Sequence, residues 1–263
     1  MRVVNVNSIG LHIAETGDAS TPALVFSNSL GTDFRTWDEV LPLLPQGLRV
    51  VRYDKRGHGL SDCPPGPWTL GDHVADLAGL LDSLGVTNAV ICGLSVGGLI
   101  AQGLASSRPD LVKALILCDT GAKIGSDETW NPRIDAVRST GIASIADPIL
   151  ERWFSAAYRA TSPEMPIWRN MLTRTPAEGY ALTCAAIRDA DYRTSTAALR
   201  LPCLAMAGDE DGATPPDLVR ETAALIPGSR FELIDGAGHL PCIEKPAVVA
   251  GLINDFLKEI GHV

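Results

Sequence analysis

The chain has 263 residues, of which 46% are hydrophobic and 20% are charged, as is typical of a folded globular protein. This composition excludes a disordered chain, a collagen and a coiled coil. The 22 Lys and Arg against 31 Asp and Glu give a formal net charge of −9. Nucleic acid is therefore not an expected partner, because its phosphates would be repelled. No membrane partner is expected either, since no apolar run reaches the roughly 18 residues of a spanning helix.

The first elements along the chain are predicted to be strands. Residues 2–6 and 9–14 alternate apolar and polar positions, which indicates an antiparallel hairpin rather than a signal peptide. Six short apolar runs follow, at 23–28, 48–53, 89–94, 114–119, 202–207 and 229–234. Near-continuous apolar runs of this kind favour parallel strands that are buried on both faces.

Helical patterns lie between these strands. Apolar residues spaced by three or four positions predict a helix over 70–84, which Gly85 ends. Further helices are predicted at 96–106, 215–226 and 246–260. Strands that alternate with helices predict an α/β fold with a mostly parallel, doubly wound sheet.

The alternation stops between about residues 122 and 196. This segment has no buried strand run, but it has helical spacing, several prolines and three of the five tryptophans. We predict that 122–196 form a helical lid inserted into a core made of 1–121 and 197–263.

The cysteines do not indicate a metal or redox site. No two of the six form a C-x-x-C pair, which leaves a zinc ribbon or thioredoxin site unsupported. We expect buried thiols in a reducing, cytoplasmic compartment. No metal cluster is visible, and no G-x-G-x-x-G follows the first long strand, so neither a metal nor a nicotinamide cofactor is expected.

One string carries a nucleophile signature. Residues 89–102 read AVICGLSVGGLIAQ, in which Gly93-x-Ser95-x-Gly97 lies between a predicted strand and a predicted helix. This is the context of a nucleophile elbow, where a strained turn projects the serine above the sheet. Glycines are needed around Ser95 because the backbone segments before and after the turn lie too close together for side chains. Ser95 is the predicted nucleophile.

A serine nucleophile needs a base and an acid, which follow it in the chain in this type of fold. Of five histidines, only His239 follows a late strand in a loop of small residues. The acid should end the preceding strand, where Asp209, Glu210 and Asp211 compete. We favour Asp211, which begins a D-x-x-T-P turn, and keep Asp209 as the alternative.

An oxyanion hole requires two backbone N–H donors. The residue after the nucleophile, Val96, should supply one. The loop after the strand at 23–28 reads SNSLGT, and Leu30 is predicted to supply the other.

Together these strings resemble the α/β-hydrolase superfamily over almost the whole chain: the elbow, GDEDGATPP at 208–216, GAGH at 236–239 and RGHGLSD at 56–62. FSNSLGTDFRTWD, LCDTGAKIG and WNPRI further resemble the 3-oxoadipate enol-lactonases of aromatic catabolism. That resemblance implies a cofactor-free serine hydrolase that opens 3-oxoadipate enol-lactone to 3-oxoadipate through an acyl-enzyme.

The implied substrate is a small anionic lactone, which a chain of net charge −9 cannot attract as a whole. A local cation in the lid is therefore expected. Arg133 and Arg138 are the candidates, and Arg133 is preferred because it lies in WNPRI beside Trp130. Trp130 and Trp153 are the predicted aromatic residues of the substrate site.

Other functions remain open at this point. The chain could be another carboxylesterase or a cofactor-free perhydrolase, which share most of these strings. It could also be a small-molecule receptor on the same fold, although an intact triad argues against that. A haloalkane dehalogenase is disfavoured because Ser95 occupies the place of its carboxylate nucleophile.

Overall fold

The computed structural model describes residues 1–263 and contains one eight-stranded sheet. The spatial order of the strands is β1-β2-β4-β3-β5-β6-β7-β8. The strands are β1 (Arg2–Val6), β2 (Ile9–Thr16), β3 (Ala23–Ser27), β4 (Arg49–Tyr53), β5 (Ala89–Leu94), β6 (Val112–Cys118), β7 (Cys203–Gly208) and β8 (Arg230–Ile234). Every strand predicted from the sequence is present.

Only one end of the sheet is antiparallel. β1 pairs with β2 as the predicted hairpin, and β2 pairs antiparallel with β4, while all the other neighbours are parallel. The central strands β3, β5 and β7 are buried at every residue, because helices cover both faces. The mostly parallel, doubly wound sheet is therefore confirmed.

Eleven α-helices accompany the strands. They are α1 (Leu70–Leu84), α2 (Val96–Ser107), α3 (Asp127–Thr140), α4 (Ala146–Trp153), α5 (Ala156–Thr161), α6 (Met165–Thr173), α7 (Ala177–Asp189), α8 (Arg193–Ala197), α9 (Pro216–Leu225), α10 (Pro241–Glu244) and α11 (Pro246–Glu259). Short 3-10 helices lie at Phe34–Trp37, Leu41–Leu43 and Ile142–Ile145. The four helices predicted from periodicity are confirmed within one residue at each end.

Local capping explains where α1 begins and ends. The Thr69 hydroxyl accepts a hydrogen bond from the Asp72 N–H, and the Asp72 carboxylate accepts one from the Thr69 N–H. Gly85 ends the helix in the left-handed conformation, at φ 62°.

The segment between β6 and β7 contains helices only, α3 to α8, and α3 packs against α7. Its three tryptophans are buried and belong to the same hydrophobic cluster as the sheet, which accounts for their number in the sequence. The division of the chain into a core and a lid at residues 122–196 stays a prediction.

None of the helices is both long enough and apolar enough to cross a lipid bilayer. All six cysteines are free thiols, and all but Cys63 are buried. The buried ones pack as small apolar side chains, as expected. The cytoplasmic location stays a prediction.

Candidate active site

Ser95 occupies a strained turn between β5 and α2. Its backbone has φ 58° and ψ −120°, a conformation that costs a non-glycine residue free energy. Glycines make the turn possible, since a Cβ on Gly93 would lie 2.3 Å from the Gly97 carbonyl oxygen. A Cβ on Gly97 would lie 2.1 Å from the carbonyl oxygen of Ser27. The chain therefore has the geometry of the predicted elbow.

The loops after β7 and β8 bring Asp211 and His239 together. The His239 Nδ1 atom lies 2.9 Å from the Asp211 Oδ2 atom, and both residues are buried. Asp211 also accepts hydrogen bonds from the N–H groups of Ala213 and Thr214 and from the Thr214 hydroxyl. Burial opposes ionisation of this carboxyl, but the interaction with His239 and these donors hold its pKa below the usual value.

The same geometry sets the roles of the imidazole nitrogens. Because Nδ1 of His239 faces a carboxylate, Nδ1 carries the proton and Nε2 is the basic nitrogen. Nε2 lies 3.4 Å from the hydroxyl of Ser29. Ser95 and His239 line one cavity of about 60 Å³, together with Ser29.

The alternative acids lie elsewhere. The Asp209 carboxylate accepts the Gly236 N–H at 2.7 Å and so holds the loop before His239. Glu210 is exposed at the surface. Among these carboxylates, the structure brings only that of Asp211 to the imidazole.

Two backbone N–H groups near Ser95 donate no hydrogen bond within the protein. They belong to Leu30, which lines the cavity, and to Val96, the first residue of α2. Both residues are buried. Unpaired buried N–H groups are rare in proteins, so these two are available to an oxygen bound in the cavity.

Two guanidinium groups also line the cavity. The Arg133 guanidinium lies over the Trp130 ring, 5.0 Å from its centre, and Arg152 donates from Nε to the Gly212 carbonyl at 2.8 Å. Burial lowers the pKa of Arg152, and the charge of Arg133 lowers it further. Both of the predicted tryptophans, Trp130 and Trp153, line the cavity.

Arg138 does not reach this cavity, which corrects its assignment to the substrate site. Its Nη2 atom pairs with Glu178 Oε1 at 2.8 Å, and both side chains are about half exposed. Arg133 and Arg138 are five residues apart on α3, which turns them about 140° from each other around the helix axis. Only one of the two can therefore point into the cavity.

Several cavity residues were not predicted from the sequence. Arg152 and Tyr180 come from α4 and α7, and Thr214 from the acid turn. Thr214 could have been found, because it is the threonine of the D-x-x-T-P string that begins at Asp211. No sequence pattern indicated Arg152 or Tyr180, because their positions depend on how the inserted helices pack.

Asp119, directly after β6, is a further missed residue. Its Oδ1 atom accepts the Gly208 N–H at 2.9 Å, while its buried Oδ2 atom has no conventional donor. Burial and the charge of Asp211 raise its pKa well above the usual value. Ligand atoms of Asp119, Asp211 and His239 lie within 4.8 Å of one another, as metal ligands could. A protonated Asp119 does not suit a cation, and the absence of a metal stays a prediction.

A larger groove, of about 880 Å³, lies apart from this cavity and shares no residue with it. It contains a hydrogen-bonded pair, His12 Nδ1 to Asp54 Oδ2 at 2.8 Å. Asp54 also accepts the N–H groups of Phe34 and Leu60, so it serves to hold loops. No serine or cysteine lines the groove, whereas Ser95 and His239 line the smaller cavity.

Comparisons with known proteins show the family of the chain. The model of the alpha/beta hydrolase family matches residues 24–252. The chain is 35% identical over 256 residues to 3-oxoadipate enol-lactonase 2 of Acinetobacter baylyi, covering 97% of this chain and 96% of the relative. It is 34% identical to 3-oxoadipate enol-lactonase 1 of the same organism, covering 98% and 97%.

Solved structures show the same likeness. The enol-lactonase from Burkholderia xenovorans LB400 superimposes with a TM-score of 0.94 at 38% identity, covering 97% of this chain and 99% of that one. A thermophilic esterase from Thermogutta terrifontis superimposes with a TM-score of 0.91 at 31% identity, covering 99% and 97%. The predicted α/β-hydrolase fold and the resemblance to enol-lactonases are confirmed, and the chain belongs to the alpha/beta hydrolase family.

Proposed function

We propose that this hydrolase opens the ring of 3-oxoadipate enol-lactone to give 3-oxoadipate. The observation that carries the proposal is the buried Asp211–His239 hydrogen bond beside Ser95, in a cavity that also holds two arginines. Similarity to two enol-lactonases of Acinetobacter baylyi over nearly the full length supports the choice of substrate.

Acylation begins at Ser95. His239 takes the hydroxyl proton at Nε2 while the serine oxygen forms a bond to the lactone carbonyl carbon. Asp211 holds the imidazole in the required tautomer and stabilises the imidazolium. The N–H groups of Leu30 and Val96 bind the oxyanion, an interaction that strengthens as negative charge develops in the transition state.

Collapse of the tetrahedral intermediate breaks the ring C–O bond. The leaving group is an enolate, which departs more readily than an alkoxide and stays attached through the acyl chain. His239 returns a proton, and the enol becomes a ketone, which opposes closure of the ring. Water activated by His239 then hydrolyses the ester on Ser95 and releases 3-oxoadipate.

Substrate recognition rests on charge. The acetate arm of the lactone is a carboxylate, and burying it without a partner would cost several kcal/mol. Arg133 and Arg152 line the cavity that contains Ser95, and either guanidinium can bind a carboxylate through two N–H groups. A pair of cations within an acidic protein supports an anionic substrate over a neutral ester.

A broader carboxylesterase is the second candidate. The specific observation in its favour is the likeness to the Thermogutta terrifontis esterase, whose structure holds malate. The two arginines favour the lactone over this alternative, because a neutral ester leaves both without an anionic partner.

Specificity constants separate the two functions. We would measure loss of enol-lactone by ultraviolet absorbance with purified protein, alongside a panel of small neutral aryl esters. An enol-lactonase should turn over the lactone at least about 100-fold more efficiently than any ester. Comparable values would identify a general esterase, and failure to turn over any substrate would identify a receptor.

A further inference from the structure

Lys55 is an unusual residue in the loop that follows β4. It is 2% exposed, although lysine is almost never fully buried unless its charge is paired. It forms no salt bridge within 4.0 Å, and its Nζ atom donates to the carbonyl oxygen of Ser29 at 2.6 Å. The buried amine of Lys55 therefore donates its hydrogen bond to a backbone carbonyl at the edge of the cavity.

That carbonyl belongs to the peptide unit whose N–H is the Leu30 donor. A trans peptide is planar, and its C=O and N–H point in opposite directions. Fixing the direction of the Ser29 carbonyl therefore fixes the direction of the Leu30 N–H. The Thr32 hydroxyl donates to the same oxygen at 2.9 Å, which holds the carbonyl from a second side.

We propose that Lys55 is a positioning residue for the oxyanion hole: it orients and polarises the Ser29–Leu30 peptide so that the Leu30 N–H binds the oxyanion more strongly. The inference rests on the proposed serine hydrolase function and adds a residue to it. Lys55 touches neither substrate nor nucleophile and acts only through Leu30.

The charge of Lys55 explains why a lysine occupies this position. A cationic donor draws electrons from the carbonyl oxygen more strongly than a neutral donor does, and hydrogen bonds in a chain strengthen one another. Thr32 already offers the carbonyl a neutral donor, so satisfying its hydrogen bond does not require an ammonium. What the ammonium adds is polarisation of the peptide.

The surroundings set the pH range in which Lys55 is a cation. Burial lowers its pKa to about 7, so the amine gains its charge as the pH falls through 7, and the nearby carboxylates of Asp54 and Asp33 oppose that shift. Two buried imidazoles also face it, those of His58 and His73, and the pKa of each is lowered, mainly by burial and partly by Lys55. Both histidines are therefore neutral at pH 7, and they add no positive charge beside the ammonium.

The test compares Lys55→Met with Lys113→Met. The control lysine also donates to a backbone carbonyl, that of Gly261 at 3.0 Å, but lies at the start of β6, far along the strand from Ser95. The assay uses any ester or lactone that the natural protein turns over, together with a trifluoromethyl ketone, which forms a tetrahedral adduct with a serine nucleophile. The matching methyl ketone reports binding without an adduct.

Removing an oxyanion donor costs on the order of 10²–10³ in kcat, and weakening one should cost less. We expect Lys55→Met to lower kcat roughly tenfold, with KM changed less than about twofold, while Lys113→Met stays at the natural value. Affinity for the trifluoromethyl ketone should fall by the same factor as kcat. Affinity for the methyl ketone should not change.

Thr32→Val provides a second variant if Lys55→Met does not fold. It removes the hydroxyl donor from the same carbonyl at nearly constant volume, and should lower kcat about two- to fivefold with KM unchanged. Unchanged kcat in a folded variant, or equal loss of affinity for both ketones, would overturn the inference. Full turnover by Ser95→Ala would instead overturn the proposed function, so the two failures are distinguishable.

Discussion

Arg152 and Arg133 come from different helices, α4 and α3, yet both line the cavity that contains Ser95. Burial and the charge of Arg133 together lower the pKa of Arg152. Two like charges near one another destabilise the free protein, and an anion between them would relieve that repulsion. This arrangement supports the proposed carboxylate-bearing substrate.

Neutralising either arginine should therefore harm the anionic substrate selectively. Arg133→Met and Arg152→Met keep much of the apolar stem and remove the charge. Loss of one partner of a buried charge pair costs about 2–5 kcal/mol, which is roughly a 30-fold or greater loss in kcat/KM for the enol-lactone. The kcat/KM of these variants for a neutral lactone or aryl ester should fall little.

The matched control for these variants is Arg138→Met, in the surface ion pair with Glu178. It should leave both substrates unaffected, because an exposed pair contributes little. Equal losses on the anionic and neutral substrates would show that Arg133 or Arg152 supports the helices rather than the substrate.

A second prediction separates the candidate acids. Asp211→Asn should lower kcat by on the order of 10³–10⁴, because the amide cannot hold the imidazole in its working tautomer. Asp209→Asn should lower it only a fewfold, since Asp209 holds the loop at Gly236. Steady-state kinetics of the two variants check this, and the reverse order of effects would move the acid to Asp209.

A third prediction concerns Asp119, which lies behind Asp211. Its raised pKa means that the folded state keeps a proton that the unfolded state loses above about pH 4. The burial of Asp119 therefore destabilises the fold progressively as the pH rises from about 4 toward the raised pKa. Asp119→Asn removes this dependence, so its stability relative to the natural protein should improve as the pH rises above about 4.

Denaturant unfolding at several pH values measures this difference. The same variant should keep kcat within about threefold, because a neutral amide replaces a neutral carboxyl. A variant that loses most of its activity would show instead that Asp119 works as an ionised group.

A fourth prediction uses the buried His73. Both of its ring nitrogens lack hydrogen-bond partners, and burial lowers its pKa to about 3. Below about pH 6.5 the imidazole is protonated in the unfolded state but stays neutral in the folded state. The free energy of unfolding therefore falls as the pH drops from 6.5 toward 3. At pH 5 this amounts to roughly 2 kcal/mol.

His73→Leu should remove that loss. The free energy of unfolding of His73→Leu should exceed that of the natural protein by more at pH 5 than at pH 8. Urea titrations at the two pH values would measure this difference. An identical difference at both pH values would mean that His73 is not the residue that destabilises the fold in acid.

The parts of the site that lie in loops directly after strands were predictable from the sequence. Ser95 and Asp211 lie in short strings whose glycines and turn residues favour a particular turn. His239 follows the last strand in a loop of small residues. Parallel strands bring the loops at their carboxyl ends to one edge of the sheet. Sequence order therefore predicted that these three residues would meet.

The residues of the proposed substrate site were less predictable. The orientation of each inserted helix depends on packing between helices, which local spacing does not determine. Helical spacing alone therefore did not separate Arg133 from Arg138, and only the WNPRI string favoured Arg133. No pattern in the sequence indicated Arg152. Lys55 and Asp119 were polar residues after strands, and only the structure shows that both are buried.

The rate of enol-lactone loss in the natural protein and in Ser95→Ala, measured side by side by ultraviolet absorbance, tests the central claim most directly. The natural protein should turn over the lactone, and Ser95→Ala should lose kcat by several orders of magnitude while keeping its fold. His239→Ala should lose a comparable amount, and the double variant little more, because the two residues act as one unit. Near-normal turnover of the lactone by Ser95→Ala would contradict the account.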